Sequence, residues 1–167
     1  MSEPVYLSLG SNIGDRGKNL RDAIRRLEHI GDLRAISSLY ETEPVEFTDQ
    51  PPFLNCAVAL ETGVGPAELM QQLLEIEQSM GRRRVQKKGP RIIDIDILLF
   101  GDLVVDTPAV TIPHPAMQQR RFVLEPLAEI APEARHPVLN KTVRELLDRL
   151  GAGQSVHRID HDKPTPD

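Results

Sequence analysis

Asp94 and Asp96 stand two residues apart within Ile92-Ile93-Asp94-Ile95-Asp96-Ile97-Leu98-Leu99-Phe100. On an extended strand, residues two apart project from one face. Ile93, Ile95, Ile97 and Leu99 are therefore expected in the core, with both aspartates together on the other side. Carboxylates about 6.5 Å apart repel by about 2–3 kcal/mol at an effective dielectric near 20. A hard divalent cation relieves that cost, and magnesium commonly takes one or two carboxylates plus substrate phosphates. The alternative is an ordinary polar outer face on an antiparallel sheet, with Asp a poor strand former. Immediately upstream lie Arg82, Arg83, Arg84, Lys87, Lys88 and Arg91 without an acid among them. Such a run can be a solvated charge cluster. Here it feeds into the aspartate strand through Gly89-Pro90-Arg91, and arginine's planar fork suits phosphate. Together the two features favour metal-assisted phosphate chemistry.

Other candidates are weaker. Gly10-Ser11-Asn12-Ile13-Gly14 follows an expected strand and precedes an expected helix, but lacks both G-x-G-x-x-G spacing and a Walker lysine. Gly10 and Gly14 are assigned to shaping a tight turn. His114, in Pro113-His114-Pro115, is either a structural turn residue or a fixed donor to phosphate. His157 and His161 are read as incidental, and the single Cys56 as a small buried hydrophobe.

The elements that must position these groups follow from periodicity. Val5–Leu9 reads as a buried strand, and Asp15 as the cap of a helix carrying Leu20, Ile24, Leu27 and Ile30. Leu33–Tyr40 reads as a second strand and Phe53–Leu60 as a third, separated by the Pro-rich stretch 43–52. Gly65-Pro66 opens a helix with Leu69, Leu73, Ile76 and Met80 on one face. After Ile92–Phe100, Gly101-Asp102 is expected to turn the chain into a hairpin partner, Leu103-Val104-Val105. A loop from Pro108 to Pro115, a short helix leading to Phe122 and a helix from Thr142 to Leu150 complete the domain. The order strand, helix, strand, strand, helix, strand predicts an α+β, ferredoxin-like split βαβ unit, its helices packed on a mainly antiparallel sheet. An added hairpin and a C-terminal helix extend it. One domain is expected over 1–150, with a polar, loosely held tail over 151–167.

The chain has 167 residues, 40% of them apolar, and a mean hydropathy of −0.30. No run approaches the roughly 20 apolar residues that span a bilayer. Met1-Ser2-Glu3-Pro4 lacks a basic start and an apolar signal core, so a cytoplasmic protein is expected. The net charge of −5 argues against a general nucleic-acid binder.

Taken in order, Gly10-Ser11-Asn12, Tyr40-Glu41-Thr42, Gln50-Pro51-Pro52-Phe53-Leu54-Asn55, Gly89-Pro90-Arg91-Ile92-Ile93-Asp94-Ile95-Asp96, Pro113-His114-Pro115 and Arg120-Arg121-Phe122 resemble the 6-hydroxymethyl-7,8-dihydropterin pyrophosphokinase family of folate biosynthesis. The resemblance runs from about Val5 to Leu150, with the G-P-R-x-x-D-x-D string its most specific element. It implies transfer of the terminal diphosphate of ATP to the pterin hydroxymethyl group, with release of AMP. By the same resemblance Asp94 and Asp96 hold two Mg²⁺ ions. Arg82 and Arg91 stabilise the transferred phosphates, while Arg84, Thr111, His114 and Arg120 contact ATP. The pterin lies between Phe53 and Phe122, its hydrogen-bonding edge read by Asn55 and by backbone around Thr42, Pro44 and Val45. The implied partners are ATP and the pterin, with no nucleic acid and no membrane, and the protein is expected to be a monomer. Lys88 stands where the family often has an aromatic. The glycine-bounded segment from Gly81 to Gly89 is expected to close over substrates. Two other classes remain for comparison: a metal-dependent phosphohydrolase using the same aspartates, and an RNA-binding module of similar strand order.

Overall fold

The computed structural model describes residues 4–42, 51–81, 92–151 and 156–159. Its main sheet is wholly antiparallel. Strand β1 (Val5–Ser11) lies between β4 (Phe53–Glu61) and β5 (Asp94–Phe100). The far edge of β4 is covered by two short strands in line, β2 (Asp32–Ile36) and β3 (Leu39–Thr42). Helix α1 (Arg16–Leu27) follows β1, and α2 (Pro66–Ser79) joins β4 to β5. This is the expected α+β arrangement, with four helices packed on a mainly antiparallel sheet.

Local chemistry accounts for the elements. The Asp15 carboxylate caps α1 by accepting from the Lys18 amide, and Gly14, at φ +70°, makes the turn before it. Leu20, Ala23, Ile24 and Leu27 of α1 meet Leu69, Leu73 and Ile76 of α2 beneath the sheet. Val5, Leu7, Leu9, Ile95 and Ile97 complete that core from the strands.

The expected strand Leu33–Tyr40 is broken in two. At Ser37-Ser38 side chains take over part of the ladder: Ser37 N–H still donates to the Ala57 carbonyl at 2.9 Å, but Ala57 N–H donates to Ser37 Oγ at 2.8 Å, and Ser38 N–H donates to the Glu129 carboxylate. Leu99 also departs from expectation. A bulge between the Tyr6 and Leu7 pairings turns Leu99 to the other face, where it joins Leu98 in a second core.

That second core is built by α3 (Arg121–Ile130) and α4 (Val143–Arg149). The expected short helix leading to Phe122 is a single 3-10 turn, Met117–Gln119; the longer α3 begins at this point. Pro126 lies inside α3, whose Val123, Leu124, Leu127 and Ala128 bury one face. The expected partner of β5 after Gly101-Asp102 pairs elsewhere: β6 (Val105–Asp106) joins β7 (Thr111–Ile112) in a separate hairpin. Thr142 and Glu145 form a reciprocal capping box on α4, preceded by the small hairpin of β8 (Arg135–His136) and β9 (Lys141–Thr142). Part of the tail expected to be loose forms β10 (Val156–Ile159), paired with β3 along its length.

Candidate active site

The ladder places the predicted side chains in adjacent rows. Asp94 faces Gly10, and Gly10 faces Asn55; Asp96 faces Ser8, and Ser8 faces Ala57. All lie on the face covered by α3, opposite the α1–α2 core. Across this row, from β5 through β1 to β4, about 10 Å separates the aspartate strand from the Asn55 strand. Ile93, Ile95 and Ile97 are buried, while Asp94 and Asp96 are half-buried, as their alternation predicts.

Gly10 is not a turn residue. It lies inside β1, where a Cβ would stand 2.7 Å from Asn55 Oδ1 and 3.5 Å from the Phe53 ring. The missing side chain makes room for the Asn55 amide, which is 3% exposed and donates to Thr42 Oγ1 at 2.9 Å. Thr42 in turn faces Phe53 across β3 and β4. Thr42, Phe53 and Asn55 thus form one cluster beside Gly10.

His114 follows the cis Ile112–Pro113 peptide, and its own N–H donates to the Leu98 carbonyl of β5 at 3.0 Å. Burial pushes its imidazole down to about 4; the Arg120 cation adds to this and the Asp94 carboxylate opposes it. Nδ1 accepts the Ala116 N–H at 3.1 Å, so the neutral ring carries its proton on Nε2 and can donate there. Arg120 precedes α3 and sits over the Phe122 ring, 5.6 Å from its centroid. Asp94 of β5, His114 of the loop after β7, and Arg120 with Phe122 at the start of α3 bring four side chains from three parts of the chain to this region. Thr111 is exposed on β7 opposite Asp106, outside the main sheet. Arg82, Arg84, Arg91, Pro44 and Val45 lie outside the described residues, as does the segment expected to close over substrates.

The far end of α3 is anchored by Glu129, which accepts from Ser38 N–H, Ser38 Oγ and, at 2.7 Å, the Tyr40 hydroxyl. Burial, and then this carboxylate, push the Tyr40 hydroxyl well above its ordinary range. The anchor fixes where α3 presents Phe122.

One site residue escaped the sequence reading. Glu77 of α2 is 2% exposed, and its carboxylate accepts the N–H of Ile95, the residue between the aspartates, at 2.7 Å. The signal was present: Leu69, Leu73 and Glu77 are spaced by four, which places an acid on the buried face of the helix. Its partner is an amide of the edge strand β5 that sheet pairing does not use.

Can this site hold a metal? Among the described residues no group of three or more His, Cys, Asp or Glu could enclose one. Two oxygen ligands on one face fit magnesium, which keeps water and phosphate in its remaining positions. The donor set thus fits a metal brought in with a phosphate substrate.

Comparison with known proteins agrees with the motifs. A model of the 7,8-dihydro-6-hydroxymethylpterin-pyrophosphokinase (HPPK) family matches residues 6–132. The 2-amino-4-hydroxy-6-hydroxymethyldihydropteridine pyrophosphokinase of Bacillus subtilis is 40% identical over 164 residues, covering 94% of this chain and 98% of its own. The folic acid synthesis protein fol1 of Schizosaccharomyces pombe is 44% identical over 148 residues; 87% of this chain matches, but only 20% of that protein. This chain therefore spans about a fifth of the fission-yeast protein's length. The crystal structure of Plasmodium falciparum HPPK-DHPS with pterin and p-hydroxybenzoate superposes with a TM-score of 0.72 at 20% identity, covering 89% of this chain and 43% of that one. No helix among the described residues is long and apolar enough to cross a membrane. With a family match over residues 6–132 and a relative 40% identical along 94% of its length, the chain belongs to the 7,8-dihydro-6-hydroxymethylpterin-pyrophosphokinase family.

Proposed function

We propose that this protein transfers the terminal diphosphate of ATP to the hydroxymethyl group of 6-hydroxymethyl-7,8-dihydropterin, releasing AMP, as a step of folate biosynthesis. The observation that carries the proposal is the shared row of the sheet: Asp94 on β5 and Asn55 on β4 flank Gly10 on one face. A phosphate end and a heterocycle end are thereby held side by side on rigid strands.

Asp94 and Asp96 would hold two Mg²⁺ ions with the ATP phosphates; when bound, these ions neutralise phosphate charge and polarise the β-phosphorus towards attack. The Asn55 amide reads the pterin edge beside Thr42, and its rigidity, set by burial, disfavours rings without matching donors. Phe53 and Phe122 offer flat apolar faces to the pterin. Neutral His114 donates from Nε2 to a phosphate oxygen, and Arg120 supplies a fixed positive charge beside it. Arg82, Arg84 and Arg91 complete the phosphate contacts on the strength of the motif, with Thr111 near the adenosine and the backbone at Pro44 and Val45 along the pterin edge. The enzyme acts as a cytosolic monomer in this reading; a single cysteine, the buried Cys56, suits a reducing compartment.

The test is incubation with Mg-ATP and the reduced pterin alcohol, with separation of nucleotide and pterin products. AMP that appears only with the pterin, in equal amount to pterin diphosphate, is expected. Phosphate or diphosphate released without the pterin would instead identify a phosphohydrolase.

A further inference from the structure

Arg16, the first residue of α1, reaches two strands at once. One terminal nitrogen lies 2.8 Å from the Glu41 carboxylate on β3. The other donates to the Pro52 carbonyl, just before β4, at 2.9 Å. Beside it the Asn12 amide donates to the Pro51 carbonyl at 3.2 Å. Glu41 and Pro52 immediately precede Thr42 and Phe53, which form the last pair of the β3–β4 ladder. Side chains alternate along a strand, so Glu41 and Thr42 project from opposite faces. Arg16 thus grips the ladder end from the α1 side, while Thr42 stands with Asn55 on the other.

The grip sits at the weakest point of the pairing. The last pair of a ladder opens more readily than its interior, and a half-exposed ion pair adds little to global stability. Its effect is therefore local: it holds the spacing between Thr42 and Phe53. A drift of about 0.5 Å is enough to spoil a binding constellation. The planar guanidinium meets a carboxylate and a carbonyl together, whereas a lysine ammonium is a single point charge on a flexible stem.

We propose that Arg16 is a positioning residue for the pterin slot, fixing the Thr42–Phe53 end of the sheet through Glu41 and Pro52. This inference rests on the assignment of Thr42, Phe53 and Asn55 to the pterin.

Steady-state kinetics on Arg16→Ala, Arg16→Lys and Glu41→Gln, with Asn55→Ala as reference, test it. In Arg16→Ala the pterin KM is expected to rise roughly tenfold, with kcat and the KM for ATP within about twofold. Arg16→Lys restores part of the loss. Glu41→Gln keeps the shape of the site, loses the ion pair and raises the pterin KM by about threefold. An unchanged pterin KM in Arg16→Ala and Glu41→Gln overturns the proposal, as does a parallel loss in pterin KM, ATP KM, kcat and melting temperature. If Asn55→Ala raises the pterin KM while Arg16→Ala does not, only the Arg16 role fails. If neither does, the pterin assignment fails with it.

Discussion

Gly10→Ala isolates how the sheet makes room for recognition. Gly10 does not have positive φ, so alanine fits its backbone without strain. The added methyl would lie 2.7 Å from Asn55 Oδ1, against an ordinary contact near 3.5 Å. The amide must therefore retreat by about 0.8 Å, which breaks its 2.9 Å bond to Thr42 Oγ1 or strains it beyond useful length. Asn55 is almost wholly buried, so water does not replace the lost partner, and the cost is about 1–3 kcal/mol. Replacing a strand glycine restores about 0.5–1 kcal/mol of backbone entropy. The clash outweighs this gain. At mid-range the net loss is about 1.3 kcal/mol, a fall of about 3–5 °C in melting temperature for a chain of this size. Pterin binding, measured by calorimetry with Mg²⁺ and a non-hydrolysable ATP analogue, should weaken by about 10- to 100-fold. ATP-analogue affinity should hold. Wild-type pterin affinity and melting temperature in Gly10→Ala would refute the steric account.

Three further outcomes are expected. Asp96→Asn should lower Mg-dependent turnover by about 10²–10³-fold while the far-ultraviolet circular dichroism is unchanged; near-normal turnover at saturating Mg²⁺ would remove the metal assignment. Glu77→Ala, which orphans the Ile95 N–H, should cost about 1–3 kcal/mol in urea unfolding, and Glu77→Gln, which retains an acceptor, clearly less; equal losses would point to charge rather than to the hydrogen bond. His114 and His136 are both held below their ordinary range, by burial first. The unfolded chain then takes up protons first, so stability is full above about pH 6.5 and is lost as pH falls from there towards about 4. Glu129, held low by Tyr40 and Ser38 despite its burial, adds its loss only from its ordinary range downwards. A ligand-free melting temperature that stays flat from pH 7 to pH 5 would contradict this.

Much of the protein was legible in one dimension because its signals are local. The 3.6-residue spacing of Leu20, Ile24 and Leu27 and the two-residue spacing of Ile93, Ile95 and Ile97 set which faces are buried. The same alternation brought Asp94 and Asp96 to one side, and the ordered motifs named the family. What failed depended on partners far along the chain. The Ser37-Ser38 break is held by Ala57 and Glu129, and α3 tolerates Pro126 because it packs against β4. The β5 bulge that turns Leu99 to the second core is set by pairing with β1. Gly10 looked like a turn glycine, and only the approach of Asn55 from the neighbouring strand shows it to be a notch. Periodicity decides which side of a strand a residue occupies; which groups stand opposite it is decided when distant segments pack, and that pairing makes the site.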